Sequence, residues 1–285
     1  MIALLRRLEA WRQRRRFLAK RGAMFASADL LVVSHTKSGR TWLRVMLSHL
    51  WHLEHGLPVN ELVHGDNFKR RVAVVPAVHF ERDTRFPPET GELRPRPEQK
   101  VLVLVRDPRD VAVSFWFHVR HRASDAELAR KRIPLAARNL DLFAFATHPE
   151  LGVPRVIGFY NRWRRELAEL PHATTLRYED LRADTVGELD RIVRFLGQTQ
   201  PRARLEAAVA FASFENLKEK EREGFFASGR FGATSRSPEP GGEDALFKVR
   251  EGSLGGWRRR FTPEQAAELD RLVVETLDPA WGYGR

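Results

Sequence analysis

Leu30-Leu-Val-Val-Ser-His-Thr-Lys-Ser-Gly-Arg-Thr-Trp42 holds the passage on which the fold turns. Leu30–Val33 is a short continuous apolar run rich in branched residues, the pattern of a strand buried on both faces. A loop of small and polar residues follows, and Thr41–Trp51 then reads as an amphipathic helix. The same order of events recurs in Val101-Leu-Val-Leu-Val105, a polar turn and the amphipathic segment Asp110–Arg120. Strand-to-helix units of this kind predict an α/β fold: a single domain with a central parallel sheet flanked by helices on both faces. A third strand is expected at Thr174–Tyr178, after a helix near 154–170 and before helices near 186–197 and 202–211. Residues 224–248, rich in Gly, Ser and Pro, predict a mobile loop or lid, and a last helix runs from about Pro263 to Leu277. No internal repeat interrupts this plan.

The bulk numbers bound the rest. A chain of 285 residues, 42% hydrophobic and 30% charged, is long enough for one domain with a full core. With no cysteine, a disulfide framework, a thiolate zinc site and a cysteine nucleophile are excluded. No apolar run approaches the ~18 residues of a membrane span, and Met1–Leu5 is too short for the core of a signal peptide, so a cytoplasmic protein is expected. The formal charge of +12 is concentrated: residues 1–21 carry eight basic residues against Glu9, which is +7 and leaves +5 for everything else. Residues 1–27 therefore read as a basic arm or helix preceding a domain at 28–285. Leu4, Leu8, Trp11 and Leu18 give the arm an apolar stripe that fits a membrane surface or an acidic partner, or simply the body of the protein. Nucleic acid is not the expected partner.

In an open parallel sheet the ligand crevice lies beyond the carboxyl ends of the strands. After the first strand, Lys37-Ser-Gly-Arg-Thr41 lets several backbone N–H groups converge on an anion at the positive end of a helix, and Lys37 adds a full charge. This is not a Walker A motif, because the lysine precedes the glycine. After the second strand, Arg106 stands at the carboxyl end and Ser114 within the next helix, a pair suited to a second phosphate.

These segments, Thr-Lys-Ser-Gly-Arg-Thr-Trp, Val-Arg-Asp-Pro-Arg-Asp-Val-Ala-Val-Ser, Arg177-Tyr-Glu-Asp-Leu181 and Phe247-Lys-Val-Arg-Glu-Gly-Ser-Leu-Gly-Gly-Trp257, resemble in content and order the signature set of cytosolic-type sulfotransferases. The resemblance covers roughly residues 28–280, and the abundance of Arg and Ala looks like a bacterial member. It implies a P-loop NTPase-like fold and transfer of a sulfuryl group from 3′-phosphoadenosine 5′-phosphosulfate (PAPS) to a hydroxyl or amine, with no metal required and the 3′,5′-bisphosphate PAP as product. It further implies that Lys37 and the backbone of Ser38, Gly39, Arg40 and Thr41 bind the 5′-phosphosulfate and that Trp42 stacks on adenine. Arg106, Ser114, Arg250, Glu251 and Gly252 would surround the 3′-phosphate, while Tyr178 and Phe214 line the nucleotide pocket. The family's histidine base is expected at His79, with His64 as runner-up.

Departures from the pattern are visible. Thr36 replaces a usual Pro, Ala77 and Val78 replace a Lys-Thr pair before the histidine, and Glu251 reverses a charge. Pro263 interrupts the family's dimer motif, which leaves the oligomeric state open. Competing readings are a P-loop-type nucleotide kinase, which would need a Walker A lysine-serine pair that is missing, and a basic adaptor acting through residues 1–21. Loops at 55–95 and 120–153 are expected to shape the acceptor pocket, without selecting among phenol, sugar, lipid, peptide or small alcohol.

Overall fold

The computed structural model describes residues 19, 22–82, 94–226 and 254–284. Strand β1 is Leu30–Ser34, and all five of its residues are buried. It sits in the middle of a four-stranded sheet of order β2-β1-β3-β4, with β2 at Val78–Arg82, β3 at Lys100–Val105 and β4 at Ala173–Arg177. Each pairing is parallel, so the carboxyl ends Ser34, Arg82, Val105 and Arg177 share one edge. Parallel strands need a crossover between them, and helices supply it on both faces.

Alternation along β1 divides the core. Leu30 and Val32 pack with Leu43, Leu47 and Trp51 of α1 (Arg40–His55) and with helices α7 (Thr185–Phe195) and α8 (Arg202–Phe211). Leu31 and Val33 face the other way, into a cluster with α2 (Pro108–Phe117), α5 (Val153–Leu167) and α10 (Pro263–Thr276). A strand with apolar neighbours on both sides has no polar face to show, which is why its sequence reads as a run and not as an alternation. Between these lie α3 (Asp125–Arg130), α4 (Leu142–Thr147), α6 (Tyr178–Ala183) and α9 (Phe214–Arg222). A π-helical turn, His118–Arg122, follows α2 directly.

Sequence expectation and structure agree on β1, β3 and β4 and on the main helices, with two shifts. The edge strand β2 was not read as one: the apolar run at 72–75 is turn, with Val74 69% exposed, and pairing begins only at Val78. Tyr178 opens α6 instead of closing β4. The second core also reaches back to Phe25, which is 2% exposed and lies within the segment 1–27 expected as the arm. Of that arm, residues 1–18, 20 and 21 lie outside the described residues, as do 227–248 of the expected lid. At the other end, Thr262 and Gln265 form a reciprocal capping box with Pro263 in the first turn, so the residues that break the dimer motif are those that start α10.

Candidate active site

The site grows from the turn between β1 and α1. Lys37 has φ 75° and Gly39 φ 97°, left-handed conformations of the kind from which anion-binding turns of successive N–H groups are built. The N-terminus of α1 has no side-chain cap and no acidic residue in its first turn, leaving its positive end to an external anion. Gly39 is required twice over: besides its φ, an added Cβ would stand 2.5 Å from Cδ2 of Tyr178.

Tyr178 is the hub. Its ring lies over Gly39, meets the Trp42 ring edge-on at 5.8 Å, and carries the Arg106 guanidinium 4.4 Å above its centroid. Residues from β1–α1, β3–α2 and β4–α6 thus converge on one aromatic ring. Trp42 is fixed by its Nε1, which donates to Ala212 O at 2.8 Å, and Arg182 covers it at 5.6 Å. Phe214, partly buried at the start of α9, follows two residues after that carbonyl. Ser114 is partly exposed, on the second turn of α2. Lys37, Ser38, Gly39, Trp42, Arg106 and Tyr178 are therefore brought together as the sequence predicts. Arg40 is turned differently: its Nη1 donates to Ser34 Oγ at 3.2 Å and Glu81 O at 2.9 Å, tying the carboxyl ends of β1 and β2. Thr41 is in the first turn of α1, where it contributes backbone. Arg250, Glu251 and Gly252 lie outside the described residues.

Beneath these groups is a scaffold that residue patterns did not single out. The fully buried Tyr160 donates its hydroxyl to Arg106 O at 2.8 Å and accepts from Arg106 N at 2.9 Å, while Ser38 Oγ stands 3.5 Å away. It fastens the end of β3 to the anion loop, and burial pushes its pKa up. Asp110 accepts from Gly255 N and Trp257 N, each at 3.0 Å, and lies 3.6 Å from Arg106, so the chain following the 250–252 motif is held beside the second anion group. Burial raises the Asp110 pKa, against the Arg106 charge that lowers it. Asp107 caps α2 and grips Arg109, and Glu179 accepts from Asp107 N at 2.9 Å and Tyr283 Oη at 2.6 Å. These are buried and partly buried polar groups paired to one another, a support whose signal is the tertiary contact and not any local spacing.

The histidines separate. His79 is 4% exposed and paired in register with Leu31, three residues before the carboxyl end of β2. Its Nε2 is 3.1 Å from Glu81 Oε2, and its ring meets Phe25 and His64 at 6.1 and 6.4 Å. The strand geometry thus sets it below the crevice floor, by roughly 3.3 Å for each residue. His64 lies on the edge loop whose Gly65 bridges Val78. His118, which the motifs did not select, is the first residue of the π-helical turn; its Nε2 stands 3.1 Å from Glu127 Oε1 and 3.3 Å from Lys131 Nζ. Burial, partly opposed by the hydrogen bond to Glu127 and reinforced by the Lys37 charge, pushes its pKa down to about 3.

A family profile described as "Sulfotransferase domain" matches residues 27–279. Cytosolic sulfotransferase 16 of Arabidopsis thaliana is 25% identical over 278 residues, covering 87% of this chain and 75% of that protein. Sulfotransferase 2A1 of Mus musculus is 23% identical over 270 residues, covering 87% and 84%. Among solved structures, mouse sulfotransferase SULT7A1 complexed with PAP superposes with a TM-score of 0.54 at 17% identity, covering 90% of this chain and 89% of that one. Retinol dehydratase in a complex with retinol and PAP gives 0.58 at 17%, covering 87% and 80%. At these identities the two structures establish the shared fold.

Proposed function

This chain belongs to the sulfotransferase domain family and is a sulfotransferase enzyme, and from that premise we propose how its own residues carry out sulfuryl transfer from PAPS to a hydroxyl or amine acceptor. The observation that carries the reading is the convergence on Tyr178: an anion loop with Lys37 on one side, the Arg106 guanidinium on the ring face, and Trp42 at its edge. A nucleotide phosphorylated at both its 5′ and 3′ positions needs two cationic sites separated by an apolar platform, and that need is what makes the convergence support this reading.

In this reading Lys37 and the N–H groups of Ser38 to Thr41 hold the 5′-phosphosulfate, and Lys37 neutralises the charge that builds on the leaving phosphate oxygen. Arg106 and Ser114 hold the 3′-phosphate, with Arg250, Glu251 and Gly252 completing that end. Trp42, Tyr178 and Phe214 bracket the base. Sulfuryl transfer resembles phosphoryl transfer in that positioning and cationic clamping do most of the catalysis. Asp110 and Tyr160 act at one remove, fixing where Arg106 and the loop stand. The protein is read as cytoplasmic; no helix among the described residues is long and apolar enough to cross a membrane. The acceptor is taken to be a small molecule, in keeping with a dehydratase structure that is a complex with retinol and PAP.

The direct test is transfer of radiolabel from sulfur-labelled PAPS to a panel of alcohols, phenols and amines. Labelled product that disappears in Lys37→Ala supports the assignment. Binding of PAP without transfer to any acceptor class would contradict it.

A further inference from the structure

A base that deprotonates the acceptor must stand next to Lys37, because the sulfuryl group in flight lies between the acceptor oxygen and the oxygen that Lys37 neutralises. His118 is joined to the Lys37 loop through a single ring. The Phe115 ring meets the ring of His35, two residues before Lys37, edge-on at 6.2 Å, and stacks on His118 at 6.2 Å with the planes 18° apart. The loop and the imidazole thus share a wall. Besides burial, which does most to hold the His118 pKa down, the charges of Lys37 and Lys131 lower it.

The ring is oriented as well as placed. Burial works against ionisation of Glu127, but the His118 hydrogen bond and the Lys131 charge hold its carboxyl well below the usual range. Lys131 Nζ donates to it at 2.6 Å. An ionised Glu127 accepts the Nε2 proton of His118, which leaves the lone pair on Nδ1. Nδ1 is buried and has no hydrogen-bond partner among the described residues. The wide turn that begins at His118 is of the π type that breaks the helical ladder and recurs at functional sites.

Resting on the sulfuryl-transfer reading above, we propose that His118 Nδ1, oriented by Glu127, is the base that takes the acceptor's proton. The acceptor oxygen attacks sulfur; the new S–O bond forms as the bond between sulfur and the 5′-phosphate oxygen breaks. The electron pair stays on the phosphate oxygen beside Lys37, and the hydroxyl proton moves to Nδ1, from which it passes to solvent after product release. His79 is three residues inside β2 and holds Glu81. The arrangement also times the base. In the free protein burial does most to suppress protonation of His118 and the Lys37 ammonium adds to it; an anionic nucleotide against Lys37 offsets that added charge, so the imidazole becomes more basic when donor is bound. The other charges that face it are Glu127 and Lys131, Arg122 from the same turn, which is coupled to Glu127, and Glu221 of α9, which lies 3.8 Å from Arg122.

Two measurements on the full chain test this. The first compares cyclohexanol, whose hydroxyl must be deprotonated, with 4-nitrophenol at mildly alkaline pH, where it is already ionised. His118→Ala is expected to lower kcat for cyclohexanol by about 10²- to 10⁴-fold, with a far smaller loss for 4-nitrophenol and unchanged PAP affinity. Glu127→Gln is expected to lower kcat and move its acid limb to lower pH. Equal losses on both acceptors would mark His118 as structural, and a loss confined to His79→Ala would assign the base to that residue; either overturns the proposal. The second measurement needs no acceptor. Nitrogen NMR of the imidazoles should show His118 with its proton on Nε2 and a pKa that rises when PAP is added, a rise absent in Lys37→Ala. No response of His118 to bound PAP overturns the proposal, whereas failure of the wild-type protein to bind PAP at all overturns the sulfotransferase mechanism beneath it.

Discussion

At the scale of the residue, the anion loop rests on one position. Gly39 combines φ 97° with a Tyr178 ring that leaves no room for a methyl group. Gly39→Ala must therefore either strain the backbone or push Tyr178 aside, and Tyr178 carries Arg106 on its other contacts. The expected outcome is a loss of stability of about 1–3 kcal/mol from the strained backbone, seen as a lower denaturation midpoint, together with at least a tenfold weaker PAP affinity. Wild-type affinity in a folded Gly39→Ala protein would contradict the role given to the Tyr178 hub. The loop residues were legible because the chemistry of anion binding is local: a lysine, small residues and a helix start suffice to mark it. The surroundings of the histidines were less legible. His79 was expected as the base from its segment, but its place in the strand register and its contact with Glu81 come from pairing, and His118 gains Glu127 and Lys131 as neighbours only through the fold.

Among the elements, α2 does the most to assemble the site. Arg106 precedes it, Asp107 caps it, Ser114 lies along it and His118 follows it. Asp110, in its first turn, reaches out of the helix to hold Gly255 and Trp257. Asp110→Ala removes the acceptor for both amides and leaves that of the buried Trp257 without a partner, while exposed Gly255 can turn to water. A destabilisation of about 1–3 kcal/mol is expected on that account, measured by chemical denaturation, and PAP affinity should fall because the C-terminal segment and Arg106 lose a shared anchor. A change below about 0.5 kcal/mol would mean that water replaces the carboxylate at no cost. Reading the sequence located α2 through its amphipathic pattern, and β1 and β3 through their continuous apolar runs. It missed β2, whose Val-His-Phe-Glu-Arg stretch lacks such a run. An edge strand has a hydrogen-bonded neighbour on one side only, so polar side chains are tolerated there and the apolar signal that marks β1 is lost.

For the whole molecule, parallel pairing gathers the ends of the strands on one edge, and the helices that follow them deliver Lys37, Arg106 and Tyr178 to a common point. The sulfotransferase domain family assignment and the fold shared with the PAP-bound structures agree with this geometry. A net charge of +12 gives the protein a field that favours encounter with an anionic donor, although much of it is carried by the arm. The central claim is that the crevice contains two separate anion sites matched to the two ends of one nucleotide. Calorimetric titration of the wild-type protein and Arg106→Ala with PAP and with 5′-AMP, which lacks the 3′-phosphate, tests it most directly. The account predicts that wild-type protein binds PAP at least about 100-fold more tightly than 5′-AMP, since a bidentate arginine–phosphate pair is worth roughly 3 kcal/mol, and that Arg106→Ala removes most of that difference. Equal affinity for the two nucleotides in the wild-type protein would contradict it.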